Sequence, residues 1–100
     1  MMSEMIMSNK SLYLVQSNFS ATPSVLAKLE QLYSPEDSVI LMGESVLQFQ
    51  QSFLQQLNCL YVLDSDAEIL AGQKTENMKI ISYPEFADIC LNHTRCIRLN

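Results

Sequence analysis

The stretch VILMGESVLQFQQSFLQQLNCLYVL, from Val39 to Leu63, sets two short apolar runs on either side of a segment with a different period. Val39 to Met42 and Cys59 to Leu63 are too short and too continuously apolar for amphipathic helices. Each therefore reads as a buried strand, the first closed by Gly43. Between them Val46, Phe49, Phe53 and Leu57, with Leu47 and Leu54, recur at helical spacing while glutamines take the other face, which predicts a helix over Glu44 to Leu57. Two continuously apolar strands joined by a helical crossover are the unit of a parallel sheet buried on both faces.

Working outward, the same alternation continues. Ser11 to Gln16, with Leu12, Tyr13, Leu14 and Val15, is a strand upstream. Thr22 and Pro23 form a helix-start pair, an N-cap oxygen followed by a residue whose fixed φ suits the first helical position. Val25, Leu29 and Leu32, with Leu26 and Tyr33 beside them, then share one helical face that ends before Pro35, and Ser34 to Ser38 is a turn. Downstream of Leu63, Asp64, Ser65 and Asp66 suit the cap and first turn of a short helix that must stop near Gly72. Gln73 to Asn77 is loop and Met78 to Ser82 a fourth strand. Ser82 and Glu85 have capping-box spacing, and Phe86, Ile89, Cys90 and His93 fall along one face of the helix that follows. Thr94 to Asn100 alternates well enough for a short final strand. The expectation is one α/β domain over residues 11–100. It has three layers, with a mainly parallel sheet of four to five strands and helices on both faces. The methionine-rich start, residues 1–10, is too polar and irregular for an element and is expected to be a disordered leader or to include an alternative start.

Composition narrows the function classes. The net charge of −5 has no basic cluster to grip a phosphate backbone, since Lys10, Lys28, Lys74, Lys79, Arg95 and Arg98 are scattered; direct nucleic-acid binding is not expected. No apolar run approaches the roughly 20 residues of a membrane span. Three cysteines without a secretion signal fit a reducing compartment, so a cytoplasmic location is expected.

In a sheet of this kind ligands bind outside the carboxyl ends of the strands, here Ser17 to Ser20, Gly43 to Ser45, Asp64 to Asp66 and Ser82 to Glu85. With only two glycines in the chain, neither a dinucleotide fingerprint nor a phosphate loop is present, and no cofactor is expected. Asp64, Asp66 and Glu44 have the spacing of helix-start acids rather than of an acid/base pair. Cys90, His93 and Cys96 form a C-x2-H-x2-C pattern that could gather a metal with Cys59. Cys90 and His93, however, lie on an apolar helix face with Cys96 beyond that helix, which favours packed thiols over a zinc knuckle. Among the thiols only Cys96, between Arg95 and Arg98, has cationic neighbours; His93 reads as a packed or helix-terminal residue rather than a base. No catalytic residue and no metal site are therefore expected.

The order of segments SLYLVQSNF, LEQLYSPEDSVILMGESV, LYVLDSDAEILAG and IISYPEFADICLNH resembles the TusB/DsrH family, the small B or H subunit of DsrEFH-like sulfur-relay complexes, over nearly everything from Ser11 onward. The resemblance implies a three-layer DsrEFH-like fold and assembly with two related small α/β subunits into a hetero-hexamer. In the tRNA-modifying branch that complex passes persulfide sulfur toward 2-thiouridine at the wobble position, and the persulfide-carrying cysteine belongs to the partner D subunit. The sulfur-oxidising branch can carry a cysteine near the first helix, where this chain has Thr22, Pro23 and Ser24, a departure that favours a non-catalytic, TusB-like role. Two further departures bear on partner identity: Gly43-Glu44-Ser45 stands where many relatives have Asp-Gly, and the chain ends in Arg98-Leu99-Asn100 without the common tryptophan. Independently of the family, the short crossover from Ser65 to Ala71 should leave apolar sheet surface under-covered, as an interface would need. The alternatives are a thiol-based sulfur carrier acting through Cys96, or less readily Cys59 or Cys90, and a stand-alone homo-oligomer that binds a ligand or regulates.

Overall fold

The computed structural model describes residues 10–70, 72–73 and 76–100; most of the expected leader (1–9), Ala71 of the short crossover, and Lys74 and Thr75 of the following loop lie outside the described residues. Five strands, β1 (Ser11–Val15), β2 (Ser38–Leu41), β3 (Leu60–Leu63), β4 (Met78–Ile81) and β5 (Arg95–Leu99), form one sheet in the order β4-β3-β2-β1-β5. Every neighbouring pair is parallel. This is the expected α/β architecture at the upper strand count.

The strand order decides which face each crossover covers. Three successive steps in one direction, from β1 to β4, put right-handed connections on one face, and the return from β4 to β5 falls on the other. The core divides accordingly. Tyr13, Val15, Val39, Leu41, Leu60, Val62 and Met78 meet Val25, Leu26 and Leu29 of helix α1 (Thr22–Leu32) and Val46, Phe49, Leu54, Leu57 and Leu70 of the next two crossovers. Leu12, Ile40, Leu63 and Ile81 point the other way, flanked by Leu14, Met42 and Tyr61, and meet Phe86, Ile89 and Cys90 of helix α4 (Tyr83–Leu91). Five strands at about 4.8 Å span roughly 20 Å, whereas a helix is about 10 Å across. One nine-residue helix cannot cover that width, and α4 has no fully buried residue.

The second crossover departs from the expected helix over Glu44 to Leu57. It is a 3₁₀ segment (Gly43–Gln48), a turn, and one turn of α-helix, α2 (Ser52–Gln55). Its first turn is tightened by the Ser45 hydroxyl, which lies 2.9 Å from the Val15 carbonyl and 2.7 Å from that of Met42 and accepts from the Met42 N–H at 3.1 Å. Phe49 N–H bonds to the Val46 carbonyl and Gln51 N–H to that of Gln48, both i→i+3 bonds. A continuous helix would centre Phe53 on the buried stripe; the break re-phases the chain and seats Phe53 edge-on against Tyr33, at 5.7 Å between ring centroids and 86°. Gly43, at φ 61°, makes the left-handed turn that starts this crossover.

Two expected helix starts also move. Thr22 is not the cap of α1 but its first residue, after Ala21. Its hydroxyl is buried, donating to the Asn18 carbonyl at 2.6 Å and meeting the Ser17 hydroxyl at 2.7 Å, while Asn18 Oδ1 accepts from the Ala21 N–H. Asp64 likewise opens helix α3 (Asp64–Ala67) as a first-turn acid rather than a cap, with Leu63 in the cap position. The capping box of α4 forms as expected: Ser82 accepts from the Glu85 N–H at 3.3 Å, and Glu85 accepts from the Ser82 N–H at 2.8 Å. Among its described residues, the third crossover, α3 with a 3₁₀ turn (Glu68–Leu70), buries only Leu70, and Ile69 and Ile80 are each left 46% exposed. Under-coverage is thus present where the sequence placed it, and also on the α4 face.

At the amino ends of the strands, buried Asp37 ties two segments together: one carboxylate oxygen accepts from the Ser11 N–H at the start of β1 and the other from the Ser34 N–H, both at 2.9 Å. Replacing Asp37 by Ala removes two charge-assisted bonds and orphans a buried N–H, and is expected to cost about 2–4 kcal/mol. Asp37→Asn, which keeps one acceptor, should cost about half as much. Urea unfolding of the two variants against the parent checks both values.

Candidate functional site

At the carboxyl ends of β1, β2 and β4 the polar side chains are engaged in hydrogen bonds. Glu44, the acid nearest the β1–β2 crevice, accepts from the Phe19 N–H at 2.9 Å, and Gln48 donates to the Phe19 carbonyl at 3.1 Å, so the loop after β1 is stitched to the second crossover. Ser17 and Thr22 satisfy each other below that loop, and Ser45 is held among the Val15 and Met42 backbone groups. Glu85 is occupied by Ser82. Asp64 and Asp66 sit in the first turn of α3, where they complement the positive end of a peptide dipole. An open depression of about 300 Å³, lined by Leu47, Gln48, Gln50, Gln51 and Ser52, lies on the second crossover rather than at the strand ends.

His93 lies beyond α4, not on its face: the helix stops at Leu91 with Asn92 as its cap. Its ring folds back, with Nδ1 2.6 Å from the Ile89 carbonyl and Nε2 3.0 Å from the Ser38 hydroxyl. A carbonyl can only accept, so Nδ1 carries a proton; in the neutral ring Nε2 accepts from Ser38. The pair has the atoms of a nucleophile and base, but Ser38 is 4% exposed at the amino end of β2. It therefore acts as a tie between the end of α4 and the sheet. The sequence signalled His93 through its spacing, whereas nothing singled out Ser38 or Asp37 within the 34–38 turn.

The metal pattern does not assemble. Both ring nitrogens of His93 are engaged, and among the described residues no three His, Cys, Asp or Glu side chains come together as a metal would need. Cys59, before β3, neighbours Tyr61 and Tyr33, and both phenols are pushed up, by burial first and by Cys59 next. Cys90 and Cys96 do come together. Cys96 pairs in register with Leu12, and Ile97 and Leu99 turn into the opposite core, so Cys96 and Arg98 take the α4 side of the sheet. Cys90 packs against the cluster on that same side, which contains Leu12. Cys90 is half-buried and its thiol is pushed up by burial, then by hydrogen bonding and charge interaction with Cys96; Cys96 itself is exposed. Of the two arginines that flank Cys96 in sequence, strand alternation puts Arg95 on the opposite face and Arg98 on the same one.

A five-stranded parallel α/β sheet whose polar strand-end groups are largely spent on hydrogen bonds, and whose faces are incompletely covered, defines a small α/β protein without an assembled acid/base or phosphate site among its described residues. The family of DsrH-like proteins matches residues 6–96, and the chain belongs to that family, which places it among sulfur-relay-related subunits. No curated protein sequence matches it. Among solved structures it is similar to the crystal structure of the ychN protein from E. coli, with a TM-score of 0.62 at 12% identity, covering 91% of this chain and 99% of that one. That likeness concerns the fold.

The raised Cys90 thiol predicts an order of reaction. Iodoacetamide at pH 8 should label exposed Cys96 before Cys90, and the Cys90 rate should rise with a midpoint above that of an ordinary thiol, because only the thiolate attacks. Cys96→Ser should bring that midpoint part of the way back, leaving the share due to burial. Peptide mapping of alkylation against pH measures both effects.

Proposed function

We propose that this chain is a non-catalytic, structural subunit of a cytoplasmic sulfur-relay assembly. In this reading it joins related small α/β subunits in a hetero-oligomer that passes persulfide sulfur toward 2-thiouridine at the tRNA wobble position. The reactive cysteine belongs to a partner. Family membership supports the relay. The observation that carries the non-catalytic role is the start of α1. There, where the sulfur-oxidising branch can hold a cysteine, Thr22 is fully buried and its hydroxyl is bound to Ser17 and Asn18.

The surface supports the same reading. Ile69, Ile80, Tyr83 and Leu91 are exposed around the third crossover and α4, the elements that cover the sheet least. Apolar surface of this kind favours a chain that completes its burial against partners. Among the described residues no helix is long and apolar enough to cross a membrane.

Co-expression with related small α/β subunits of a DsrEFH-like relay tests the proposal. The expected result is a single complex that co-purifies through size exclusion. A monomeric chain, with the partners assembling fully in its absence, contradicts it.

A further inference from the structure

Cys90 and Cys96 are separated by a helix end and a tight connection, yet the fold sets both on the α4 face of the sheet: Cys96 pairs in register with Leu12, and Cys90 packs against the cluster that contains Leu12. The connection is held on both sides: His93 N–H bonds to the Cys90 carbonyl at 3.3 Å, and Thr94 N–H to the Lys10 carbonyl at 2.8 Å. His93 pins the same corner to Ser38. The two sulfurs differ in access. Cys96 lies exposed on β5, the edge strand beside β1, with Arg98 two residues along on the same face. Cys90 is half-buried against the Leu12–Ile40 cluster. An exposed thiol backed by a sheltered one has the layout of an attacking and a resolving cysteine.

We propose that Cys90 and Cys96 form a redox-active dithiol that closes to an intramolecular disulfide when Cys96 meets a peroxide-class oxidant. In the first step the Cys96 thiolate attacks a peroxide oxygen; the O–O bond breaks, an S–O bond forms, and the departing hydroxide leaves as water with the proton of the Cys96 thiol. In the second, the Cys90 sulfur attacks the Cys96 sulfenic sulfur; the S–S bond forms, the S–O bond breaks, and hydroxide leaves as water with the Cys90 proton. The two thiols give up two electrons and one hydrogen peroxide becomes two waters. A dithiol reductant reverses the closure by exchange.

The same adjacency argues against Cys96 as a sulfur carrier. A persulfide on Cys96 would be attacked by Cys90, which would expel hydrosulfide and leave the disulfide. The site thus takes oxidants rather than cargo, and its closure would fasten the end of α4 to β5. It stands whether or not the chain joins a relay.

The reduced full-length chain, which has three free thiols, is treated with hydrogen peroxide and mapped by non-reducing mass spectrometry. Expected is a monomer lacking two hydrogens, with a linked Cys90–Cys96 peptide, Cys59 still free, and full reversal by dithiothreitol. In Cys90→Ser, Cys96 should stop at a sulfenic acid that dimedone traps, and Cys96→Ser should abolish the rapid loss of the Cys90 thiol. Preferential oxidation of Cys59, disulfide-linked dimers, or Cys96 over-oxidised beside a free Cys90 in the parent chain would each overturn the proposal; the parent map alone decides it if a variant does not fold.

Discussion

Handedness is the constraint on which the rest of this molecule depends. With strands in the order β4-β3-β2-β1-β5, right-handed crossovers must place three connections on one face and a single one on the other. The face with three connections has the larger core, while the other rests on α4. The consequences reach the chemistry. Because α4 stands alone, its inner residues remain half-buried. Because the chain returns from α4 to pair β5 with β1, Cys96 arrives in register with Leu12, on the face that Cys90 packs against. The His93–Ser38 bond then fastens the lone helix to the start of β2.

Much of this was legible in the residues. Short continuous apolar runs located β1, β2 and β3, because a strand buried on both faces has little room for polar side chains, whereas β5 was legible through the alternation of Thr94 to Asn100. The capping box at Ser82 and Glu85 was legible because it is a purely local exchange of hydrogen bonds. The second crossover was not. Its helical period from Val46 to Leu57 is real, but Ser45 is pinned by Val15, thirty residues earlier. Such a long-range bond leaves no mark in local spacing, and it overrides the preference for a regular helix. Thr22 was misplaced for a similar reason: its partner Ser17 belongs to the preceding loop.

The candidate site followed the same division. That the strand ends hold polar groups could be read from the sequence; that Glu44 would be spent on the Phe19 N–H could not, because that contact joins two loops. The spacing of Cys90, His93 and Cys96 drew attention to the right corner with the wrong chemistry. A pattern on paper cannot show that both nitrogens of His93 are committed elsewhere, which leaves a pair of thiols in place of a metal site.

The central claim is that the chain contributes surface and not sulfur chemistry to a relay. The most direct measurement is sulfur transfer to tRNA by the reconstituted assembly containing a chain with Cys59, Cys90 and Cys96 all changed to Ser, compared at equal complex concentration with the parent. The account predicts unchanged 2-thiouridine formation from the cysteine-free chain and loss of it when the chain is left out. Assembly that is intact but inactive with the cysteine-free chain would contradict it.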